Sequence, residues 1–146
     1  MNSFAIILAR GGSKGIKNKN LIELSRKPLL EWTIDHCLNC RYIKETFVSS
    51  DSNEILEFAI KKKVTPILRP LYLADDFSSS EDAWLHALDY VKSQKGYLLD
   101  FIIAPQVTSP LRGLNDFAKA LDTMKNEKLD SLLSVNRLKD YFIWVN

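Results

Sequence analysis

Short, strongly apolar runs alternate with amphipathic stretches from one end of the chain to the other, and this alternation constrains the fold more than any other feature. Ser3 to Ala9 is nearly all apolar, the composition of a strand covered on both faces. Pro28 opens a helical stretch to about Cys40, with Leu30, Ile34, Cys37 and Leu38 on one face. Thr46 to Ser50 reads as a second strand. Asp51 and Glu54 have the spacing of a capping box, so Asp51 is expected to cap the helix carrying Ile55, Phe58 and Ala59, rather than to act as an acid catalyst.

Val64 to Leu68 is a third strand, followed by a loop from Arg69 to Ser80. Ser78 with Glu81, or Ser79 with Asp82, caps a helix that points Ala83, Trp84, Ala87, Leu88 and Val91 inward. Phe101 to Ala104 is a fourth strand, and a helix from about Asn115 buries Phe117, Ala118, Leu121 and Met124. Ser131 to Val135 is expected to be a fifth strand and Tyr141 to Val145 the start of a sixth. Strands and helices in regular succession imply right-handed crossovers and a mostly parallel sheet with helices on both faces, a three-layer α/β/α, Rossmann-like architecture. Ligands of such sheets sit outside the carboxyl ends of the strands, which directs attention to the loops after the first, third and fourth strands.

Composition narrows the function classes. The 146 residues suit one domain, 1–146, and the 26% charged residues and three tryptophans argue against a disordered segment. No run approaches the ~18 apolar residues of a membrane span, so no membrane partner is expected. Residues 4–9 are too short for a signal-peptide core and Arg10 follows them, which points to a cytoplasmic protein. Two cysteines cannot build a disulfide framework. Cys37 and Cys40 have CxxC spacing but lack a second ligand pair, so they are expected to be packed thiols. His86, Trp32 and Trp84 fall on helices, where packing is the default reading.

The net charge of +2 conceals a concentration of positive charge. Between Arg10 and Asn20 stand Arg10, Lys14, Lys17 and Lys19 with Gly11, Gly12 and Gly15, and no acidic residue precedes Glu23. Glycines let backbone N–H groups curl around an anion, and Arg10 and Lys14 add charge-assisted bonds, a composition suited to a polyphosphate. The spacing fits neither the Walker A loop nor the Rossmann glycine fingerprint. Single-stranded nucleic-acid sites interleave aromatic with basic residues. Residues 10–30 contain no aromatic, so no nucleic-acid partner is expected. Arg69, Gln106, Thr108 and Arg112 are further polar groups at predicted strand ends.

Taken together, ILARGGSKGIKNKNL, KPLLEWTI, VSSDSNEI, LRPLYLADDFSSS and QVTSPLR resemble, in order and spacing, the acylneuraminate (CMP-sialic acid synthetase-like) cytidylyltransferases. The resemblance runs from about residue 4 to residue 135. It implies an α/β nucleotidyltransferase that takes CTP and a sialic-type nonulosonic acid to a CMP-sugar and pyrophosphate, with Mg2+ or Mn2+ as cofactor. It places Ala9, Arg10, Gly11, Gly12, Ser13 and Lys14 around the triphosphate, and Asn20 near the reacting centre with Arg10 and Lys14. Arg69 and Ser80 match positions that read cytosine, and Gln106 matches a glutamine that contacts the sugar acid. The family runs longer than this sequence, so the metal-binding Asp pair and much of a homodimer contact are expected beyond Asn146. The chain is then a truncated member or a piece of a longer enzyme, and a catalytically silent CTP-binding or partner-binding homologue is the alternative.

Overall fold

The computed structural model describes residues 2–12, 15–75, 78–96 and 100–135. Four parallel strands form its sheet: β1 (Ser3–Leu8), β4 (Ile43–Ser50), β5 (Thr65–Leu68) and β6 (Phe101–Ile103), in the order β5-β4-β1-β6. A two-stranded hairpin, β2 (Glu23–Leu24) and β3 (Lys27–Pro28), leads into helix α1 (Leu29–Leu38). Helices α2 (Asn53–Lys61), α3 (Ser80–Lys95) and α4 (Asp116–Glu127) complete the described elements.

The period of two along a strand divides the core into two layers. Ala5, Ile7 and Ala9 face one side, packed with Leu30, Ile34 and Cys37 of α1 and Ile55 and Ala59 of α2, with Phe117 of α4 against them. Phe4 and Ile6 face the other, packed with Phe47, Ile67 and, from α3, Ala87 and Val91. The Phe4 and Phe47 rings lie 5.6 Å apart, tilted by 43°. Helices therefore cover both faces, as the alternation implied. The chain steps from β1 to β4 to β5, then crosses by α3 to β6 on the far side of β1. That reversal puts a topological switch point between the carboxyl ends of β1 and β6, where such sheets open a crevice.

The helix ends follow local chemistry. Ser79 caps α3, its Oγ accepting from the Asp82 N–H at 3.0 Å, and Gly96 closes the helix at φ 64°. Removing that cap in Ser79→Ala is expected to lower stability by about 1 kcal/mol. A melting curve would read this as a fall in Tm of about 2–4 °C. Cys37 and Cys40 are buried and unpaired, and burial pushes the Cys37 thiol up to about 12, so it stays protonated and inert at neutral pH.

Several expectations are corrected. Residues 131–135 are irregular and exposed, with Leu133 83% and Val135 81% accessible. A run such as Ser-Leu-Leu-Ser-Val becomes a strand only where a ladder partner accepts it, and none does so among the described residues. Tyr141 to Val145 lies outside the described residues. Leu38 is the last residue of α1 and is 54% exposed, while Thr33 and His36 are buried instead. The N-cap of α2 is Ser52, without a side-chain cap bond, and Asp51 does not cap this helix.

Candidate functional site

The loop after β1 is fastened at three successive residues. The Ala9 N–H donates to the Ser49 carbonyl at 3.0 Å, continuing the β1–β4 ladder past the strand. The Arg10 carbonyl accepts from Asn20 Nδ2 at 2.9 Å. The Gly11 N–H donates to Asp51 Oδ1 at 2.9 Å. Asn20 is buried in a 3-10 turn (Lys19–Leu21) that follows Asn18 at φ 53°, so the loop folds back until its far end lies against its beginning. Only glycine fits at position 11, because an added Cβ would stand 2.8 Å from Ser52 Cβ. The role of Gly11 is thus close approach, and its N–H is already engaged by Asp51. Gly12 is exposed, with open space around it. Ser13 and Lys14 lie outside the described residues.

Arg69 follows the last residue of β5. Its N–H donates to the Ser50 carbonyl at 2.9 Å, which carries the β4–β5 pairing beyond the strand. Its side chain is 5% exposed, and Nη2 lies 3.9 Å from Asp51 Oδ1. Nε and Nη2 have no hydrogen-bond partner among the described residues. Burial pulls the Arg69 guanidinium below its ordinary value, Asp51 opposes that shift, and the nearby Arg10 charge adds to it. A buried cation with unmatched donors is unfavourable until something supplies acceptors. Arg10 Nη1 donates to the Asp75 carbonyl at 3.3 Å, linking the loop after β1 to the loop after β5.

Ala9, Arg10, Gly11, Asn20 and Arg69 are therefore brought together at the carboxyl edge of the sheet, around the ends of β1 and β5 on either side of β4. Ser80 and Gln106 lie elsewhere, on α3 and in the loop after β6. Ser80 is the first residue of α3 and is exposed, with Glu81 and Asp82 in the same turn. Gln106 is exposed in the loop after β6, beside the switch point, and its carbonyl accepts from Arg112 Nη2. Arg112 also donates to Thr33 Oγ1 at 3.3 Å and stacks over Phe117 at 5.5 Å, so it staples that loop to α1 and α4. Thr108 is exposed in the same loop. His86 is half-buried on the flank of α3, where it lines an open cleft of about 580 Å³ with Tyr72, Asp75, Asp82 and Asp89.

Sequence reasoning missed Asp51 as part of the site. Its position at the carboxyl end of a strand, opposite a loop carrying four cations, was the available signal; the Asp-x-x-Glu spacing pointed to a cap instead. Among the described residues no three His, Cys, Asp or Glu side chains converge to hold a metal. Asp51 is engaged by Gly11, and Asp75 Oδ1 accepts from the Ser78 N–H at 2.6 Å.

Comparison with known proteins places this geometry in context. The cytidylyltransferase family model matches residues 4–140. A pseudaminic acid cytidylyltransferase of Campylobacter jejuni subsp. jejuni serotype O:23/36 (strain 81-176) is 37% identical over 123 residues, covering 84% of this chain and 53% of that protein. An N-acylneuraminate cytidylyltransferase of Escherichia coli O18:K1:H7 (strain RS218 / NMEC) is 35% identical over 134 residues, covering 91% of this chain and 31% of that protein. Among solved structures, a CMP:2-keto-3-deoxy-manno-octonic acid synthetase complexed with CTP superposes with a TM-score of 0.71 at 20% identity, over 88% of this chain and 49% of that one. At that identity the likeness bears on the fold alone. The chain spans about half the length of the Campylobacter jejuni pseudaminic acid relatives it matches and about a third of the N-acylneuraminate ones. No helix among the described residues is long and apolar enough to cross a membrane.

Proposed function

The chain belongs to the cytidylyltransferase family, and on that premise we propose that it serves the transfer of CMP from CTP to the anomeric hydroxyl of a sialic-type nonulosonic acid. In that reaction the sugar oxygen forms a bond to the α-phosphorus of CTP, the bond to the β-phosphate oxygen breaks, and pyrophosphate leaves. The hydroxyl proton passes to solvent or to a base. The names of the relatives, pseudaminic acid and N-acylneuraminate cytidylyltransferase, support the acceptor class.

The observation that carries the nucleotide assignment is Arg69, buried at the carboxyl edge of the sheet with two nitrogens unmatched. Arginine only donates, and cytosine presents two adjacent acceptors, O2 and N3, whereas uracil N3 carries a hydrogen. A guanidinium fixed beside the base thus favours cytosine. In this reading Ser80, at the first turn of α3, adds a hydroxyl to the same base. Arg10 and Lys14 neutralise the triphosphate and the charge that grows on the leaving pyrophosphate, assisted by backbone donors of Gly12 and Ser13. Asn20 positions Arg10 through its carbonyl, so its contribution is to hold the loop. Gln106, in the loop on the other side of the switch point, faces the sugar acid. Mg2+ or Mn2+ would offset phosphate charge when bound with CTP. Among the described residues no three acidic, histidine or cysteine side chains cluster to hold it without the phosphates.

The decisive experiment has two arms. Thermal stabilisation by CTP with Mg2+ is expected to exceed that by UTP or ATP at equal concentration, and equal stabilisation by all three would overturn the cytidine assignment. Incubation with CTP and N-acetylneuraminic or pseudaminic acid is expected to release pyrophosphate in an Arg10-dependent manner. CTP binding without release from either acid would leave a nucleotide-binding homologue.

A further inference from the structure

We propose that Asp51 is a positioning residue that sets base selectivity, by holding the Arg69 guanidinium at the carboxyl edge of the sheet while anchoring the loop after β1. One carboxylate oxygen serves both elements: Oδ1 accepts from the Gly11 N–H at 2.9 Å and lies 3.9 Å from Arg69 Nη2. The two contacts differ in kind. The first is a hydrogen bond that any oxygen acceptor at this position could make. The second, beyond hydrogen-bond range, depends on the negative charge.

Three further features make the arrangement more than a surface ion pair. Asp51 is 16% exposed and Arg69 5%, so the attraction between them is poorly screened by solvent. The Asp51 carboxylate supports the charged state of a guanidinium that burial and Arg10 both oppose. The contact at 3.9 Å also leaves Arg69 Nε and Nη2 without hydrogen bonds, so Asp51 orients this donor-only group without saturating it. A direct bidentate pair would have consumed the donors that a base needs. Asp51 thereby couples the loop assigned to the phosphates with the arginine assigned to the base.

This inference rests on the assignment of Arg69 to the cytosine, and the experiment separates the two. Asp51→Asn keeps an oxygen for the Gly11 N–H and removes only the charge, whereas Asp51→Ala removes both. Binding of CTP, UTP and inorganic tripolyphosphate, each with Mg2+, would be measured by calorimetry on the full chain and both variants. For Asp51→Asn the CTP-to-UTP affinity ratio is expected to fall about tenfold, with tripolyphosphate bound no more weakly than by the unaltered chain. For Asp51→Ala tripolyphosphate binding is expected to weaken as well, because the loop loses its anchor. A ratio unchanged in Asp51→Asn, with the unaltered chain selective for CTP, overturns the role of Asp51 alone. An unaltered chain that binds CTP and UTP equally overturns the cytosine assignment and this inference with it. A ratio unchanged in Asp51→Asn alongside weakened tripolyphosphate binding would reduce Asp51 to a loop anchor.

Discussion

Arg69→Met is expected to weaken CTP binding about a hundredfold without lowering the melting temperature. The two halves of this result have separate causes. Hydrogen bonds to a charged group contribute about 1.5–3 kcal/mol each, and each 1.4 kcal/mol is about tenfold in affinity. Losing the donors of one buried guanidinium therefore corresponds to about two orders of magnitude or more. Stability follows different arithmetic. The Arg69 side chain is 5% exposed and keeps two nitrogens unmatched, so in the free protein it is desolvated without full compensation. Replacing a buried ion with an apolar side chain of similar length is often neutral or stabilising, by about 1–4 kcal/mol. Asp51 would not be stranded, because it retains the Gly11 N–H and some access to water. Calorimetric titration with CTP and a thermal melt of the same preparation would read both effects. A melting temperature lowered by several degrees with CTP affinity intact would make the Arg69–Asp51 pair a structural contact and remove Arg69 from the site.

The division between what the sequence revealed and what it hid has physical causes. Burial on two faces writes itself into a strand, which is why Phe4 to Ala9 was legible and why its alternate residues fall cleanly into the two core layers. The cap of α3 was legible as one of two local pairs, Ser78 with Glu81 or Ser79 with Asp82, each three residues apart, and the second makes the bond. The hairpin before α1 was not, since its turn places Ser25 and Arg26 at φ 52° and 68°, a conformation ordinarily announced by glycine or asparagine. The strand expected at 131–135 failed for the opposite reason: its composition is strand-like, but pairing is a property of two segments. The site divides in the same way. Arg10, Gly11 and Asn20 lie within one loop whose charge and glycine content stand out, and Asn20 bonds back to the Arg10 carbonyl while Gly11 bonds to Asp51. Asp51 reaches that loop from 40 positions away and Arg69 reaches Asp51 from the end of the neighbouring strand, so neither contact leaves a trace in local spacing. The Asp51–Glu54 pair even carried a misleading local signal, because a capping-box pattern and a carboxylate turned toward the neighbouring loops after β1 and β5 use the same residue types.

Gly11→Ala is expected to lower stability by about 1–3 kcal/mol, a fall in Tm of about 3–10 °C, and to weaken nucleotide binding as the loop is displaced. The added methyl would lie 2.8 Å from Ser52 Cβ, a backbone-attached atom at the start of α2 that cannot swing aside. Relief requires either the loop or the helix start to move, and a shift of Gly11 draws its N–H away from Asp51. Removing the obstacle instead tests this directly. Ser52→Gly deletes the clashing Cβ together with an Oγ 3.4 Å from the added methyl, and the next neighbour, Asp51 Oδ2 at 3.6 Å, is in ordinary contact. Ser52 is the N-cap of α2 but makes no side-chain cap bond, so its own replacement by glycine is expected to change stability by only a few tenths of a kcal/mol. The double variant should then recover most of the stability lost in Gly11→Ala, a favourable coupling of about 1–2 kcal/mol between the two sites. CTP affinity should recover in parallel, since the Gly11–Asp51 bond reforms once the methyl has room. Additive losses in the double variant would mean that the loop relaxes away from α2 on its own. The close approach of Gly11 to Ser52 would then not be what keeps the loop after β1 in register with Asp51 and Arg69.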